Sequence, residues 1–357
     1  MTPTSRSSSG SSPSSAAAVP AAVQLAFDKT LDKFRSNGLY LVADFLSSKR
    51  LRAASTAQTY YYALDYFNGY LERKNQSYNL QTVIDALVQK KLDIYKLLSG
   101  YVSYLKDETK NGRDMSGKTV KIYVAAIKSY LQYNDIDISP VKFKHQITMP
   151  PIYTEGEEPI DANDIREMLN HCTNRRLKTY ILVLASGGMR AVEALAIRLR
   201  DINFDKGSPT EICMRKEYTK TRIERTIFIS DEATDYLKQW LDWKYTVRYK
   251  SIPKPKNEDD LVFAKFLNTS RNPHRIYGKV LLDFQKLLEL CDGLSTRKED
   301  GVDKRRKITF HSFRRFVKTT IANQTSTDYS EWFLGHKSSP YYRVKREDQR
   351  KIYRETA

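Results

Sequence analysis

A cluster of prolines divides this sequence into two parts of different character. Residues 139–159 contain Pro140, Pro150, Pro151, Gly156 and Pro159. A proline inside a helix removes a backbone donor and clashes with the preceding turn, so such a segment is expected to be irregular. The chain has 357 residues, which is long enough for two domains with separate cores. We therefore predict a linker over residues 139–159 between two domains.

The part before the linker has the apolar spacing of helices. Ser55, followed three residues later by Gln58, predicts a helix start by a capping box, and Ser116 opens another helix. Residues 21–138 are therefore predicted to form a compact helical domain. Residues 1–20 are mostly Ser, Pro, Thr and Ala without the apolar segment of a secretory signal. A disordered tail is predicted there, and a transit peptide is the alternative.

Residues 160–357 combine helical patterns with one strand-like region. Asp161 is placed to cap a helix, and the apolar run 179–184 predicts a buried helix that ends at Gly187 and Gly188. Between Ile212 and Ile229 β-branched residues alternate in part, which is typical of a hairpin. This second part is therefore predicted to be mostly helical, with some strand.

The overall charge indicates a polyanionic partner. Lysine and arginine number 60 against 42 acidic residues, giving a formal net charge of +18 and a pI near 9.5. Each cation that neutralises a phosphate releases condensed counterions, so nucleic acid is the favoured partner over a merely solubilising surface charge. Three scattered cysteines have no metal-like spacing and indicate a reduced, intracellular setting. No apolar run reaches the length of a membrane span, so none is expected.

Several short motifs carry residues suited to phosphate chemistry. His311 and Arg314 share a helix face, and an arginine beside an imidazole can hold a phosphate and move its protons. Other motifs lie on either side of this pair: Gly187-Gly188-Met189-Arg190, Lys220-Thr221, Leu334-Gly335-His336 and Tyr341-Tyr342. Each alone has an ordinary structural explanation as a cap, a solvated charge or a packing residue. Their order and spacing together favour one active site.

This order of motifs resembles the tyrosine recombinase (phage integrase) family, over roughly the last 200 residues. The resemblance implies that Arg190 and Arg314 clamp the scissile phosphate. Lys220, with Lys216 as the fallback, would protonate the leaving 5′-oxygen. We further predict that Glu193, on the same helix face as Arg190, orients its guanidinium.

The resemblance also implies roles for the two histidines. His311 would take the nucleophile's proton or hold a phosphate oxygen, and His336 would hydrogen-bond a non-bridging oxygen. The family commonly has its tyrosine nine residues after that last histidine, but Lys345 stands there. The ending Tyr341-Tyr342-Arg343 is similar to that of archaeal-type integrases. Tyr341 is therefore the predicted nucleophile, with Tyr342 and Tyr353 as alternatives.

Basic residues outside these motifs are candidates for contact with the DNA backbone. In the helical domain a basic outer surface is predicted, and in the second domain a basic loop precedes His311. The predicted DNA-binding residues are Lys118, Lys121, Arg305, Arg306 and Arg315. Solvated charge is the alternative explanation for each of them.

The resemblance implies a helical core-binding domain that clamps DNA, plus a mostly helical catalytic domain with a small antiparallel β-sheet. The implied activity is site-specific recombination through a 3′-phosphotyrosyl intermediate, with neither metal nor ATP. It further implies monomers that form tetramers on two double-stranded DNA sites, in the cytoplasm at the nucleoid. Two alternatives stay open: a topoisomerase of the related tyrosine type, and a non-catalytic DNA-binding protein with the same fold.

Overall fold

The computed structural model describes residues 31–32, 34–74, 78–107, 115–152, 158–219, 222–246, 256–265, 272–297, 306–336 and 345–356. The described residues up to 152 fall in one compact unit, and those from 158 onward fall in a second. Each unit has its own hydrophobic core. None of the described helices combines the length and apolar character that crossing a membrane requires.

The first unit is helical over its described residues. Its helices are α1 (Tyr40–Arg52), α2 (Ala54–Lys74), α3 (Thr82–Val88), α4 (Ile94–Asp107), α5 (Gly117–Tyr133) and α6 (Pro140–Gln146). Tyrosines contribute to its core: Tyr101 donates its hydroxyl hydrogen to the carbonyl of Ala63 at 3.0 Å, and Tyr130 donates to that of Leu80 at 2.7 Å. These bonds satisfy the phenol groups and allow large rings to be buried.

Two predictions for this part of the chain need correction. Helix α2 starts at Ala54, so Ser55 lies inside its first turn and is not the cap. Helix α6 occupies the start of the segment predicted to be irregular, with Ser139 as its N-cap and Pro140 in its first turn. A proline in the first turn loses no hydrogen bond, since those backbone donors have no partner within the helix. By contrast, the prediction that Ser116 caps α5 is confirmed, because its side chain accepts a hydrogen bond from the Thr119 backbone.

The second unit combines helices with one small sheet. Its helices are α7 (Ala162–His171), α8 (Arg175–Gly187), α9 (Ala191–Leu195), α10 (Asp231–Tyr245), α11 (Pro273–Leu288), α12 (Phe310–Gln324), α13 (Thr327–Phe333) and α14 (Arg346–Thr356). Strands β1 (Ile202–Asn203), β2 (Thr210–Met214) and β3 (Arg225–Ile229) form an antiparallel sheet in that order. The predicted hairpin, the capping by Asp161 and the buried helix α8 are confirmed.

A buried carboxylate is central to the attachment of helix α14 to the sheet. Glu211 of β2 is 3% exposed and accepts from Arg346 at 2.6 Å and from Arg350 at 3.0 Å. Lys206 also contacts Glu211, at 3.2 Å. Arg350 reaches further, to the carbonyl oxygens of Lys206 and Gly207. The described fold is thus mostly α-helical with a small antiparallel sheet, as predicted.

Candidate active site

Arg190 lies at the start of α9, directly after the turn that ends α8. Its guanidinium donates from Nη1 to Oε1 of Glu193 at 2.8 Å, and its backbone N–H donates to Oε2 at 3.3 Å. Glu193 is 2% exposed, whereas a quarter of the Arg190 side chain is exposed. The carboxylate therefore fixes one side of the guanidinium while part of it stays accessible, as predicted for Glu193.

Glu193 also binds a second arginine, Arg225, at the start of β3. Arg225 Nη2 donates to Glu193 Oε2 at 2.7 Å, and this arginine side chain is 8% exposed. Burial acts to raise the pKa of Glu193, but Arg225 and Arg190 outweigh it, so the pKa lies below its usual value. Nε and Nη1 of Arg225 are buried, and no described residue forms a hydrogen bond with them. One carboxylate thus serves two guanidinium groups, leaving this cluster with excess positive charge.

Arg314 is buried on α12 and is held by backbone carbonyls. Its Nη1 donates to the carbonyl oxygen of Gly188 at 2.7 Å, and its Nη2 donates to that of Leu334 at 2.6 Å. These carbonyls end α8 and α13, so one side chain connects three helices. Arg314 is only 3% exposed. The position of the Arg314 guanidinium is therefore fixed by backbone atoms and does not depend on the rotamer of another side chain.

The charge of Arg314 has no acidic counterpart in direct contact. Among the described residues no carboxylate forms an ion pair with it; Glu193 and Glu331 act on it only through space. Burial, and then the neighbouring Arg190 and Arg225, lower its pKa to about 10. Even so, the group stays positive at neutral pH. A buried cation without a paired anion favours binding of an anion from outside.

Two glycines allow these elements to approach closely. Gly188 has a φ of +60°, and a Cβ there would lie 2.8 Å from Val317 Cγ1 and 2.7 Å from Leu334 Cδ2. Gly335 has a φ of +69°, and a Cβ there would lie within 2.9 Å of the Arg225 guanidinium. The left-handed backbone and the close contacts both require glycine. Gly188 is thus packed against α12, and its carbonyl accepts from Arg314.

His336 is part of a chain of polar contacts that ends at Arg314. Its Nε2 lies 3.0 Å from Arg314 Nη2 and accepts from it, while Nδ1 is bonded to Glu331 Oε2. The other oxygen of Glu331 contacts Lys318 Nζ at 2.5 Å. The hydrogen bond to Lys318 is the first cause of the lowered pKa of Glu331. Because Nε2 accepts from Arg314, the proton of the neutral ring lies on Nδ1 and is donated to Glu331, which fixes the tautomer and the orientation of His336.

His311 lies on the first turn of α12 and is exposed, with its backbone N–H donating to the capping hydroxyl of Thr309. Partial loss of hydration, and then the positive charges of Arg314 and Arg190, lower its pKa below 6.5. His336 acts in the same direction. Since the charges of both arginines act on its ring, His311 belongs to the same cluster of side chains. A neutral, accessible imidazole at neutral pH is suited to accept a proton.

Other predicted catalytic residues are not positioned by the structure. Lys220, Tyr341 and Tyr342 lie outside the described residues. Tyr353 is described, and it is 3% exposed between Phe228 and Phe333, donating its hydroxyl hydrogen to the carbonyl of Ser186 at 3.1 Å. Burial raises its pKa far above the usual range. Tyr353 is therefore a packing residue, and the alternative that it is the nucleophile does not fit this structure.

The predicted DNA-binding residues divide into three kinds. Lys118 and Lys121 are exposed on one face of α5. Arg315 is half-buried and donates to the hydroxyl of Ser312. Arg306 needs correction, because its guanidinium is turned inward onto the Ser295 carbonyl at 3.0 Å and Glu289 at 2.5 Å. Arg305 lies outside the described residues.

Sequence reasoning missed two supporting residues of the site. Arg225 was not among the predicted site residues, but it is buried against Glu193. Glu331 precedes His336 by five residues, a separation with no helical regularity, because α13 ends between them. No motif spacing signals either residue. Both become apparent only when the ends of α8, α12, α13 and β3 are seen to meet.

Comparison with known proteins places this arrangement in a family. A family model described as the phage integrase family matches residues 158–344. Tyrosine recombinase XerA of Saccharolobus solfataricus is 25% identical over 179 residues, which is 50% of this chain and 53% of that protein. A probable integrase/recombinase of Acholeplasma phage L2 is 24% identical over 269 residues, 69% of this chain and 85% of that protein. The chain thus spans about half the length of the first of these relatives.

Solved structures with a similar fold include XerH site-specific recombinase bound to palindromic difH substrate in a post-cleavage complex. That likeness has a TM-score of 0.49 at 16% identity and covers 85% of this chain and 78% of that one. A lambda integrase dimer bound to a COC′ core site has a TM-score of 0.47 at 14% identity. This likeness covers 82% of this chain and 76% of that one.

Proposed function

The chain belongs to the phage integrase family, and from this premise we propose that it is a site-specific DNA recombinase. It would cut and rejoin DNA through a 3′-phosphotyrosyl intermediate. The observation that supports this most directly is the buried Arg314 guanidinium, held from behind by the carbonyls of Gly188 and Leu334. With Arg190, His311 and His336 around it, this cluster is suited to the scissile phosphate.

The first proposed step is binding of one phosphodiester by the two arginines. Arg190 is fixed by Glu193 at 2.8 Å and Arg314 by backbone carbonyls, so both are positioned before DNA arrives. Preorganised donors stabilise the additional negative charge on the five-coordinate phosphorus without reorganisation. His336, held beside Arg314 by its hydrogen bond to Glu331, is the proposed hydrogen-bond partner of a non-bridging oxygen.

The second proposed step is transesterification. The Tyr341 oxygen attacks phosphorus while the bond from phosphorus to the 5′-oxygen breaks. His311, kept neutral by its surroundings, accepts the tyrosine proton, and Lys220 donates a proton to the departing 5′-oxygen. The phosphodiester is conserved as a phosphotyrosyl ester, so rejoining needs no ATP. Attack by a 5′-hydroxyl from the other DNA reverses these steps and releases the tyrosine.

Recombination also requires DNA capture beyond the cleaved phosphate. Lys118 and Lys121 on the exposed face of α5, and Arg305 and Arg315 in the second unit, are the proposed backbone contacts. Recombination joins two DNA sites, so we propose monomers in solution that assemble as tetramers on paired sites. An enzyme of this kind would act on the chromosome, at the nucleoid in the cytoplasm.

The test is a strand-exchange assay on the protein's own genome. A library of genomic fragments in supercoiled plasmids is incubated with the full chain, and joined products are amplified and sequenced. A recombinase yields junctions between two plasmids at one shared sequence, and Tyr341→Phe abolishes them.

Other products would overturn the proposal in distinguishable ways. Relaxed plasmids without any junction would indicate a topoisomerase acting on single duplexes. Protection of one sequence without relaxation or junctions, unchanged by Tyr341→Phe, would indicate a DNA-binding protein without catalysis.

A further inference from the structure

A second cluster of chemically versatile side chains lies elsewhere in the same unit. Glu167 and His171 are one turn apart on α7, and Cys291 follows the end of α11. One carboxylate oxygen, one ring nitrogen and the Cys291 sulfur all lie within 4.8 Å of one another. Neither the pocket around Arg314 nor the proposed chemistry uses these residues.

Hydrogen bonds already orient two of these side chains. His171 Nδ1 lies 3.0 Å from the Glu167 carbonyl oxygen and donates to it, so in the neutral ring Nε2 carries the lone pair. A backbone carbonyl that fixes the tautomer in this way is the usual partner of a metal-binding histidine. Glu167 Oε1 accepts from the backbone N–H of Asp292 at 2.7 Å, which holds its carboxylate beside Cys291.

Cys291 supplies a sulfur atom in a protected position. The residue is 3% exposed, and its Sγ donates to the Leu287 carbonyl at 3.4 Å. A bound dication would displace the thiol proton, as thiolate-ligated metals do.

We propose that Glu167, His171 and Cys291 form a zinc-binding site, with a water molecule in the fourth position. The ligand set selects the metal, since thiolate and imidazole suit zinc, while magnesium and calcium prefer oxygen alone. Zinc bond lengths of about 2.0–2.3 Å place tetrahedral ligand atoms about 3.5 Å apart. The three ligand atoms lie within 4.8 Å of one another, so zinc would draw them closer by about 1 Å, and the His171 side chain is exposed. That exposure also gives the fourth position access to solvent.

The proposed role is structural. The ion would join α7 to the turn after α11, reinforcing the hydrogen bond from Asp292 to Glu167. His171 and Cys291 are separated by 120 residues of sequence (291 − 171). This separation explains why cysteine spacing predicted no metal site. Because the site and the active-site cluster share no residue, either proposal can fail without the other.

The test uses the full-length chain, stripped of metal with a chelator and titrated with Co²⁺. Tetrahedral cobalt bound to a thiolate gives strong near-ultraviolet charge-transfer absorption and visible bands. We expect saturation at one cobalt per chain and displacement of cobalt by one equivalent of zinc. Cys291→Ser should remove the charge-transfer band, and His171→Ala should weaken cobalt binding by more than about 100-fold, since loss of a ligand costs more than loss of a group that supports one.

Matched cysteine controls make the result specific. Cys172→Ser and Cys213→Ser should keep the band, since the Cys172 sulfur donates to the Asn174 carbonyl and Cys213 lies on β2. Circular dichroism verifies that each variant is folded, and zinc should raise the Tm of the native chain but not that of His171→Ala. Absence of a charge-transfer band at saturating cobalt would overturn the proposal. So would a band that survives Cys291→Ser.

Discussion

Two arginine clusters in the second unit use the same side chain in opposite ways. Around Glu211, Arg346 and Arg350 converge on one buried carboxylate and attach α14 to the sheet. Around Arg314, the guanidinium is buried more deeply but binds the carbonyls of Gly188 and Leu334 and the His336 ring. In the first cluster, the carboxylate of Glu211 compensates the arginine charges. In the second cluster, the positive charge of Arg314 stays available for an external anion.

The difference distinguishes arginines that stabilise the fold from arginines that are available to bind a ligand. A buried ion pair already has its counter-charge, so its removal lowers stability. A buried arginine fixed by neutral carbonyls has its position determined while its charge stays uncompensated. In the proposed reaction, that charge would stabilise the negative charge that develops on the phosphate in the transition state.

The largest effect is expected from Arg314→Lys. Lysine keeps the charge but lacks the planar fork, so it cannot bind two carbonyls and a phosphate together. Formation of the covalent adduct on nicked DNA should fall by about 100- to 1000-fold, the usual loss for a preorganised transition-state donor. The measurement is the single-turnover rate of adduct formation.

Arg350→Lys is the matched control from the other cluster. Glu211 retains Arg346 and Lys206, so the adduct rate should stay within about fivefold of native, and Tm should drop modestly. Equal losses of adduct in both variants would remove the distinction between the two clusters.

His311→Gln should reduce cleavage by about 100-fold, since it removes the proposed base. The lowered pKa of His311 means that its neutral form dominates from pH 6.5 upward and is lost only as pH falls through that lower value. The native rate should therefore be level near neutrality and decline in acid. In the variant, the decline of the rate in acid should be absent. An unchanged decline would show that a group other than His311 causes it.

Glu331→Gln should lower the adduct rate by about tenfold, a usual loss when a supporting carboxylate behind a histidine is removed. The amide can still accept from His336 Nδ1, but it lacks the negative charge with which Glu331 holds both His336 and Lys318. Glu347→Gln, an exposed change on α14, is the control and should leave the rate unchanged. A native rate in Glu331→Gln would show that His336 acts without this support.

The smallest effect is expected from Lys121→Ala on the exposed face of α5. Loss of one phosphate contact should weaken DNA binding a few-fold and reduce the slope of log K against log salt by about 1. Fluorescence anisotropy over a salt series measures both. Lys121→Arg should retain the native slope, and an unchanged slope in the alanine variant would exclude this contact.

The elements that carry the candidate site could be predicted from the sequence, but the contacts that hold its side chains could not. The apolar run 179–184 predicted α8, the spacing of His311 and Arg314 predicted the helix that is α12, and the hairpin followed from β-branched alternation. The prediction that the whole proline-rich segment is irregular was wrong at its start, because Pro140 lies in the first turn of α6, where a proline disrupts no hydrogen bond. The number of prolines does not show whether one of them follows an N-cap and can begin a helix.

Contacts distant in sequence were beyond prediction for a physical reason. Arg225 is buried because Glu193, 32 residues earlier in the chain, meets it there. Arg306 turns inward because Glu289 and the Ser295 carbonyl receive it. Such charges look alike in a sequence, and only tertiary packing decides which are solvated. Tyr353 is similar: its burial against Phe228 and Phe333 distinguishes it from a nucleophile.

The central claim is that this cluster directs a tyrosine against one DNA phosphate. The most direct measurement traps the full chain on nicked genomic DNA fragments, digests the denatured adduct and locates the phosphate by mass spectrometry. The account predicts one adduct on Tyr341, lost in Tyr341→Phe and strongly reduced in Arg314→Lys. Tight DNA binding without any tyrosine adduct, or an adduct on the buried Tyr353, would contradict it.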